Sequence, residues 1–387
     1  MKRELRTYIY LFWLWLLICC AAQTKSSAAL AADPIKIGAV LPFSGGVELY
    51  GKQAKFGLEL ARKEINAGGG ILGRPLEIVY EDDQTDPLLA VRATRKLIEQ
   101  DGVLAVVGPI TSRNLDAIIP TIEHSRTPLL YATNYEGGAC SRYIFAFSSV
   151  PNQELGQLLP YMNQNFGNTY YILGADHAWP HKMFEQAEPI IAGLGGHVVG
   201  KEFTTGKEKD FAPMIARIAG TKAKVLLFAL KGDGLNFIPQ AHDLGLMNNT
   251  TIAFLGLSEA DLPAFGGKGQ NMYVVVPFVA SSDLPSIKAF VAKVKADAGA
   301  DATVSNYVMT HYNALIAMKM ALEKAGKVDK EAMIDALEGL SFQSPSGAVT
   351  IGRDHHVTMN MFLAKTQGPD LVTVRALGEI VPEAGCK

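Results

Sequence analysis

The chain has 387 residues, 48% hydrophobic and 19% charged, with a net charge of −2. That length allows two domains with cores of their own, and the composition is that of a globular chain rather than a disordered or fibrous one. Mixed charge at this balance gives no electrostatic reason to bind nucleic acid, and no such partner is expected.

The opening, MKRELRTYIYLFWLWLLICCAAQTKSSAALAAD, differs in kind from the rest. Lys2, Arg3 and Arg6 precede an apolar run ending at Ala22, and Ala29-Leu30-Ala31 offers small residues where a signal peptidase reads. Residues 1–31 are read as a signal peptide cleaved after Ala31, which sends the mature chain to the periplasm. The run is short for a membrane anchor, and no second segment approaches the ~20 apolar residues a span needs. Cys19 and Cys20 leave lipid attachment open, although Ile18 or Cys19 would stand where a small residue is wanted. The leader carries a net +3, so its removal takes the charge from −2 to −5. Cys140 and Cys386 remain. An oxidising compartment lets them pair, but Cys386 is the penultimate residue, and two separate thiols are the expectation.

Strand-like runs follow at 35–42, 76–83, 103–109 and 128–133, with amphipathic segments between them. Ala54, Leu58, Ala61 and Ile65 recur at helical spacing, and Gly68-Gly69-Gly70 stops that helix. Asp86-Pro87 supplies a cap and a first-turn proline for the next, over 86–100. The rhythm repeats: strands at 169–176, 197–204, 224–231, 251–256 and 272–278 alternate with helices near 180–194, 209–219 and 234–245. Helical patterns then fill 286–298, 304–325 and 329–340, and short strands close the chain at 347–352, 358–366 and 371–377. Strands apolar throughout are covered on both faces, which predicts an α/β fold of parallel, doubly wound sheets. Aperiodic crossovers at 148–153 and 278–285, with helices before a third, divide it into two Rossmann-like lobes joined by a three-segment hinge. Lobe 1 is expected to hold residues 34–150 and 279–345, and lobe 2 residues 151–278 and 346–387.

Enzyme signatures are missing. No phosphate loop occurs, Gly256-Leu257-Ser258-Glu259-Ala260 lacks the last glycine of a nucleophile elbow, and no Gly-x-Gly-x-x-Gly follows the first strand. His177 and His181 are four apart, but Pro180 between them starts the helix and leaves His177 outside. His355 and His356 point oppositely if extended. No catalytic residue, metal site or cofactor is expected.

What stands at the strand ends suits a small polar ligand instead. Ser112 follows the third strand, Thr133 and Tyr135 the fourth, His177 and Trp179 the first strand of the second lobe, and Glu259 a later one. Hydroxyls and free helix N–H groups suit a carboxylate or amide oxygen, Glu259 an ammonium, and Trp179 and Tyr135 an organic body. Each has a plainer role available: Ser112 as a helix cap, Glu259 as a first-turn acid, Trp179 as a hydrophobic staple.

The run IKIGAVLPFSGGVELYGKQAKFGLELARKEINAGGGILGRPLEIVYEDDQTDPLLAVRATRKLI resembles the opening of the leucine/isoleucine/valine-binding proteins, periplasmic receptors of hydrophobic-amino-acid ABC importers. INAGGGILGRPLEIVYEDDQTDP is its most specific part. LYATNYEGGACSRYIFAFSSVPNQ, YYILGADHAWPH and SPSGAVTIGRDHH look more like the amide- and urea-binding branch. The resemblance covers residues 34–377 and implies a type I periplasmic binding protein. It implies that Ser112 and Thr133 hold the ligand's polar head, that Tyr131 lies beside it, and that Glu259 sits near the acid that meets an α-ammonium. Positions 177 and 179, often aromatic in the amide binders, are His177 and Trp179 here. The expected function is capture of a small amino acid, branched-chain or related, by a monomer that delivers it to an ABC permease. A urea or short-amide binder, a ligand sensor and a secreted enzyme are the alternatives.

Overall fold

The computed structural model describes residues 33–386 apart from Gly206. The expected signal peptide, with Cys19 and Cys20, lies outside the described residues.

The first lobe is built on five parallel strands in the order β2-β1-β3-β4-β5: β1 (Ile35–Leu41), β2 (Leu76–Asp82), β3 (Val106–Val107), β4 (Leu129–Tyr131) and β5 (Ile144–Ala146). Along β1, Ile37, Ala39 and Leu41 face Ala54, Leu58 and Ala61 of α1 (Glu48–Ala67), and Val40 faces the opposite layer. That layer is α2 (Pro87–Glu99), with Ala90, Ala93 and Leu97, and α3 (Ser112–Ser125), with Leu115, Ile118 and Ile122. Burial on both faces is why β1, β3, β4 and β5 read as largely apolar, whereas β2, at the sheet edge, buries only Leu76. The Asp86 carboxylate accepts from the N–H groups of Leu88 and Leu89 at 2.8 and 3.0 Å, satisfying two donors the first turn of α2 leaves unpaired.

The second lobe follows from α4 (Pro151–Phe166): β6 (Thr169–Ala175), α5 (Ala178–Gly193), β7 (His197–Thr204), α6 (Ala212–Thr221), β8 (Val225–Ala229), α7 (Phe237–Asp243), β9 (Thr251–Phe254) and β10 (Tyr273–Val276). Its strands run parallel in the order β7-β6-β8-β9-β10. The chain then returns to lobe 1 for α8 (Pro285–Ala298), α9 (Asn306–Ala325) and α10 (Lys330–Leu337), with α9 packed along α1. It ends as an antiparallel extension of the second sheet, β11 (Ser341–Ser344), β12 (Gly347–Ile351), β13 (Val357–Gln367) and β14 (Asp370–Ile380).

Three features differ from the sequence reading. The third crossover falls before residue 341, not after 345, because β11 and β12 form one hairpin and a hairpin cannot be shared between lobes. The last residues leave lobe 2: Gly138 N–H donates to Ala384 O at 2.8 Å, and Cys386 forms a disulfide with Cys140. The expectation of separate thiols is thus corrected, since Asn152 holds the tail on both sides, donating to Val381 O and accepting from Glu383 N–H. His355 is left-handed at φ 65° rather than extended, so its ring stacks on Phe145 while His356 stacks on Tyr135.

Candidate functional site

Strand order reverses between β1 and β3 in the first sheet and between β6 and β8 in the second. At such a reversal the connections leave to opposite sides and open a crevice at the carboxyl ends of the strands. The two crevices face each other across a cavity of about 420 Å³. Gly45 and Gly46 after β1, Ser112 after β3 and Thr133 and Asn134 after β4 line it from lobe 1. His177 and Trp179 after β6 and Lys231 after β8 line it from lobe 2.

Local sequence sets these positions. Gly108 has φ 100°, and a Cβ there would stand 2.1 Å from Val40 O, so only glycine lets β3 end this close to β1 before Pro109 turns the chain into α3. Thr111 is the N-cap of α3, accepting from Asn114 N–H, which leaves Ser112 free of the capping role the sequence offered it. The Ser112 hydroxyl donates to Glu136 Oε2 at 2.7 Å. Thr133 Oγ1 and the Trp179 indole Nε1 are buried atoms with no hydrogen-bond partner in the protein. Burying a polar group unpaired costs about 1–3 kcal/mol, so both are poised for a ligand acceptor.

The Lys231 ammonium donates to Asp261 at 2.6 Å and to Gly256 O at 2.7 Å, and lies 5.1 Å from the ring centres of both Tyr50 and Phe254. Burial lowers its pKa, with Asp261 opposing. The fully buried Asp261 carboxylate also accepts from the Tyr50 hydroxyl and from Ser258 N–H. Tyr50 belongs to lobe 1 and Asp261 to lobe 2, so this network crosses between lobes at the cavity floor. Enclosure in the cleft, then the Arg113 charge, lowers the pKa of His177, favouring its neutral form.

Of the seven residues singled out in the sequence, Ser112, Thr133, His177 and Trp179 come together on this cavity. Tyr131, Tyr135 and Glu259 do not line it. Tyr131 is fully buried in the sheet, with its hydroxyl toward Ile110 O. Tyr135 turns away to His356 and lines a groove with the C-terminal tail. Glu259 accepts from Ala280 N–H at 2.7 Å and lines a separate cavity of about 640 Å³ with Lys295 and Asp370. Tyr135 and Glu259 lie beyond the last paired residue of their strands, where the path of the loop rather than strand alternation decides which side chains face the cleft. After β4, Thr133 and Asn134 both do, and Tyr135 does not. Lys231, Asn134 and Tyr50 line the cavity without having been chosen. Lys231 immediately follows an apolar strand, the same signal that pointed to Ser112.

A family model described as "Periplasmic binding protein" matches residues 34–370. The Leu/Ile/Val-binding protein BraC3 of Rhizobium johnstonii is 29% identical over 343 residues, 87% of this chain and 92% of its own. A leucine-, isoleucine-, valine-, threonine- and alanine-binding protein of Pseudomonas aeruginosa is 25% identical, over 83% of this chain and 87% of its own. Among solved structures, a solute-binding protein of an R. palustris ABC transporter, in complex with benzoate, superposes with a TM-score of 0.83 at 22% identity, covering 92% of this chain and 99% of that one. The leucine-binding protein LivK of Thermotoga maritima gives 0.79 at 17% identity, over 89% and 99% of the two chains. Two lobes of this topology and a match along nearly all the described residues lead to one assignment: the chain belongs to the periplasmic binding protein family.

Proposed function

We propose that the protein captures a small carboxylate-bearing solute between its lobes, a branched-chain or related amino acid first, and presents it to the permease of an ABC importer. The observation that carries this reading is the pair of buried, unpartnered donors on the cavity, Thr133 Oγ1 and Trp179 Nε1. They stand beside the N-terminus of the 14-residue helix α3, whose free N–H groups and dipole favour a carboxylate. Ile110, Trp179, Tyr50 and Tyr307 supply apolar wall for the rest of the solute. Members of this family are binding proteins, and no helix among the described residues is long and apolar enough to cross a membrane. Action as an exported, monomeric receptor is part of the same proposal.

A second reading, an aromatic carboxylate such as benzoate, is favoured by the ring faces of Trp179, Tyr50 and Tyr307 around the cavity. Thermal unfolding of residues 32–387 separates the two. A ligand of the folded state adds about 2.7 kcal/mol at a hundredfold excess over its dissociation constant. The midpoint rises with leucine or valine on the first reading and with benzoate on the second, and Thr133→Ala abolishes the shift while leaving the free protein's midpoint in place. A rise with urea or acetamide alone would replace both by an amide reading, and a rise with none of these would overturn the assignment of the cavity.

A further inference from the structure

Glu136 lies in the loop after β4 and does not itself line the cavity, yet its carboxylate joins the cavity to the opposite lobe. Oε2 accepts the Ser112 hydroxyl at 2.7 Å, and Oε1 accepts the Lys182 ammonium at 2.8 Å. The backbone carbonyl of Glu136 accepts the Gln186 side-chain amide, also at 2.8 Å. Ser112 heads α3 in lobe 1, whereas Lys182 and Gln186 stand one turn apart on α5 in lobe 2. Lys182 also reaches Asp116, one turn into α3, at 3.3 Å.

Two consequences follow from elementary chemistry. A serine hydroxyl has one proton and two lone-pair sites. With that proton given to Glu136, Ser112 Oγ presents lone pairs to the cavity and asks its ligand for an N–H donor. Thr133 and Trp179 meanwhile ask for an acceptor, so the cavity demands both in one small molecule. The second consequence concerns closure. The Glu136 side chain is 4% exposed, and a carboxylate buried this far is costly without its partners. One of those partners, Lys182, comes from lobe 2, so the carboxylate is fully satisfied only with the lobes together.

We propose that Glu136 is the positioning residue that ties ligand selection to lobe closure, holding Ser112 as an acceptor for a ligand N–H and latching Lys182 from the second lobe. This rests on reading the cavity as the solute site. An exposed ion pair would carry little weight, but here one partner is buried and also bonded to a cavity hydroxyl.

Two variants divide the roles. Lys182→Met removes the latch and leaves the Ser112–Glu136 bond. Glu136→Gln weakens the latch and can donate to Ser112, freeing the hydroxyl proton for the ligand. The probes are L-leucine and 4-methylpentanoate, the same skeleton and carboxylate without the amine. Stopped-flow tryptophan fluorescence gives dissociation rates, and solution X-ray scattering gives the radius of gyration of the ligand-free protein. Lys182→Met is expected to speed dissociation of both probes about tenfold, with the preference for leucine unchanged. Glu136→Gln is expected to speed dissociation similarly and to cut that preference at least tenfold. Both variants should widen the ligand-free protein. Wild-type scattering and dissociation in Lys182→Met would overturn the latch, and an unchanged preference in Glu136→Gln would overturn the selection role. If neither probe binds the wild type, the selection role and the amino-acid reading fall together, while scattering still decides the latch.

Discussion

The Glu259 carboxyl shows what burial does to a single group. Burial pushes it up to about 7 from the ordinary 4.5, helped by Asp261 and Asp370 and opposed by its bond from Ala280 N–H. Below pH 4.5 the group is protonated in both states and contributes nothing to pH dependence. Between 4.5 and 7 the folded chain holds a proton that the unfolded chain releases, so stability falls as pH rises, and above 7 the loss is complete. Glu259→Gln, which cannot ionise and keeps an acceptor for Ala280, is expected to escape that fall. Its stability relative to the wild type should rise between pH 4.5 and 8 by on the order of 2–3 kcal/mol, measured by urea unfolding at both values. An unchanged difference would show that the carboxyl ionises as it does in water. The same residue marks how far side-chain roles were legible in sequence. Strand ends are readable, and they found Ser112, Thr133, His177 and Trp179 on the cavity. Which way a side chain turns after the last hydrogen-bonded pair depends on the path of the loop and its tertiary partners, so Tyr135 and Glu259 were placed by chain position alone and lie elsewhere.

At the scale of elements, long periodic segments were the most legible. The helix expected from Ala54, Leu58, Ala61 and Ile65 is α1, and Asp86-Pro87 starts α2 as its chemistry requires. Short strands were not. β5 has three residues and no polar alternation to announce it, and β11, Ser341–Ser344, buries only every second residue of a polar run. Nor could sequence supply the tertiary contacts that hold the tail near Cys140. Asn152, in the first turn of α4, does that by gripping Val381 and Glu383. The resulting disulfide joins residues 246 apart. Removing a native link of this kind typically costs about 2–4 kcal/mol. Cys386→Ser is therefore expected to lower the unfolding midpoint by that equivalent, and a reductant should lower the wild type to match and leave the variant unmoved.

At the scale of the whole molecule, the lobes meet through backbone as well as through side chains. Gly232, at φ 58°, follows β8, and a Cβ there would stand 2.8 Å from Gly46 O across the cleft. Gly232→Ala should hold the lobes apart. Its expected effect is at least a tenfold loss of affinity for whichever probe shifts the wild type, against a stability loss of only about 1–2 kcal/mol from the left-handed backbone. Equal affinity in the variant would mean that closure does not bring these two loops into register. The two-lobed plan itself was readable, because alternating strands and helices interrupted by aperiodic segments leave few other topologies. The exact exchange points were not, since a hairpin such as β11–β12 is committed by pairing rather than composition.

That pairing also determines what the tail does mechanically. Ile380 is paired into the second sheet, and six residues later Cys386 is bonded to the first lobe. A stretch of that length, pulled straight, reaches no more than about 20 Å. The tail is thus a fourth strap between the lobes, running beside the first crossover, where Asn152 and Gln153 grip it. Lengthening it by a few residues would slacken that strap at the pivot without touching any group on the cavity, which offers a way to adjust the stiffness of the hinge separately from the grip.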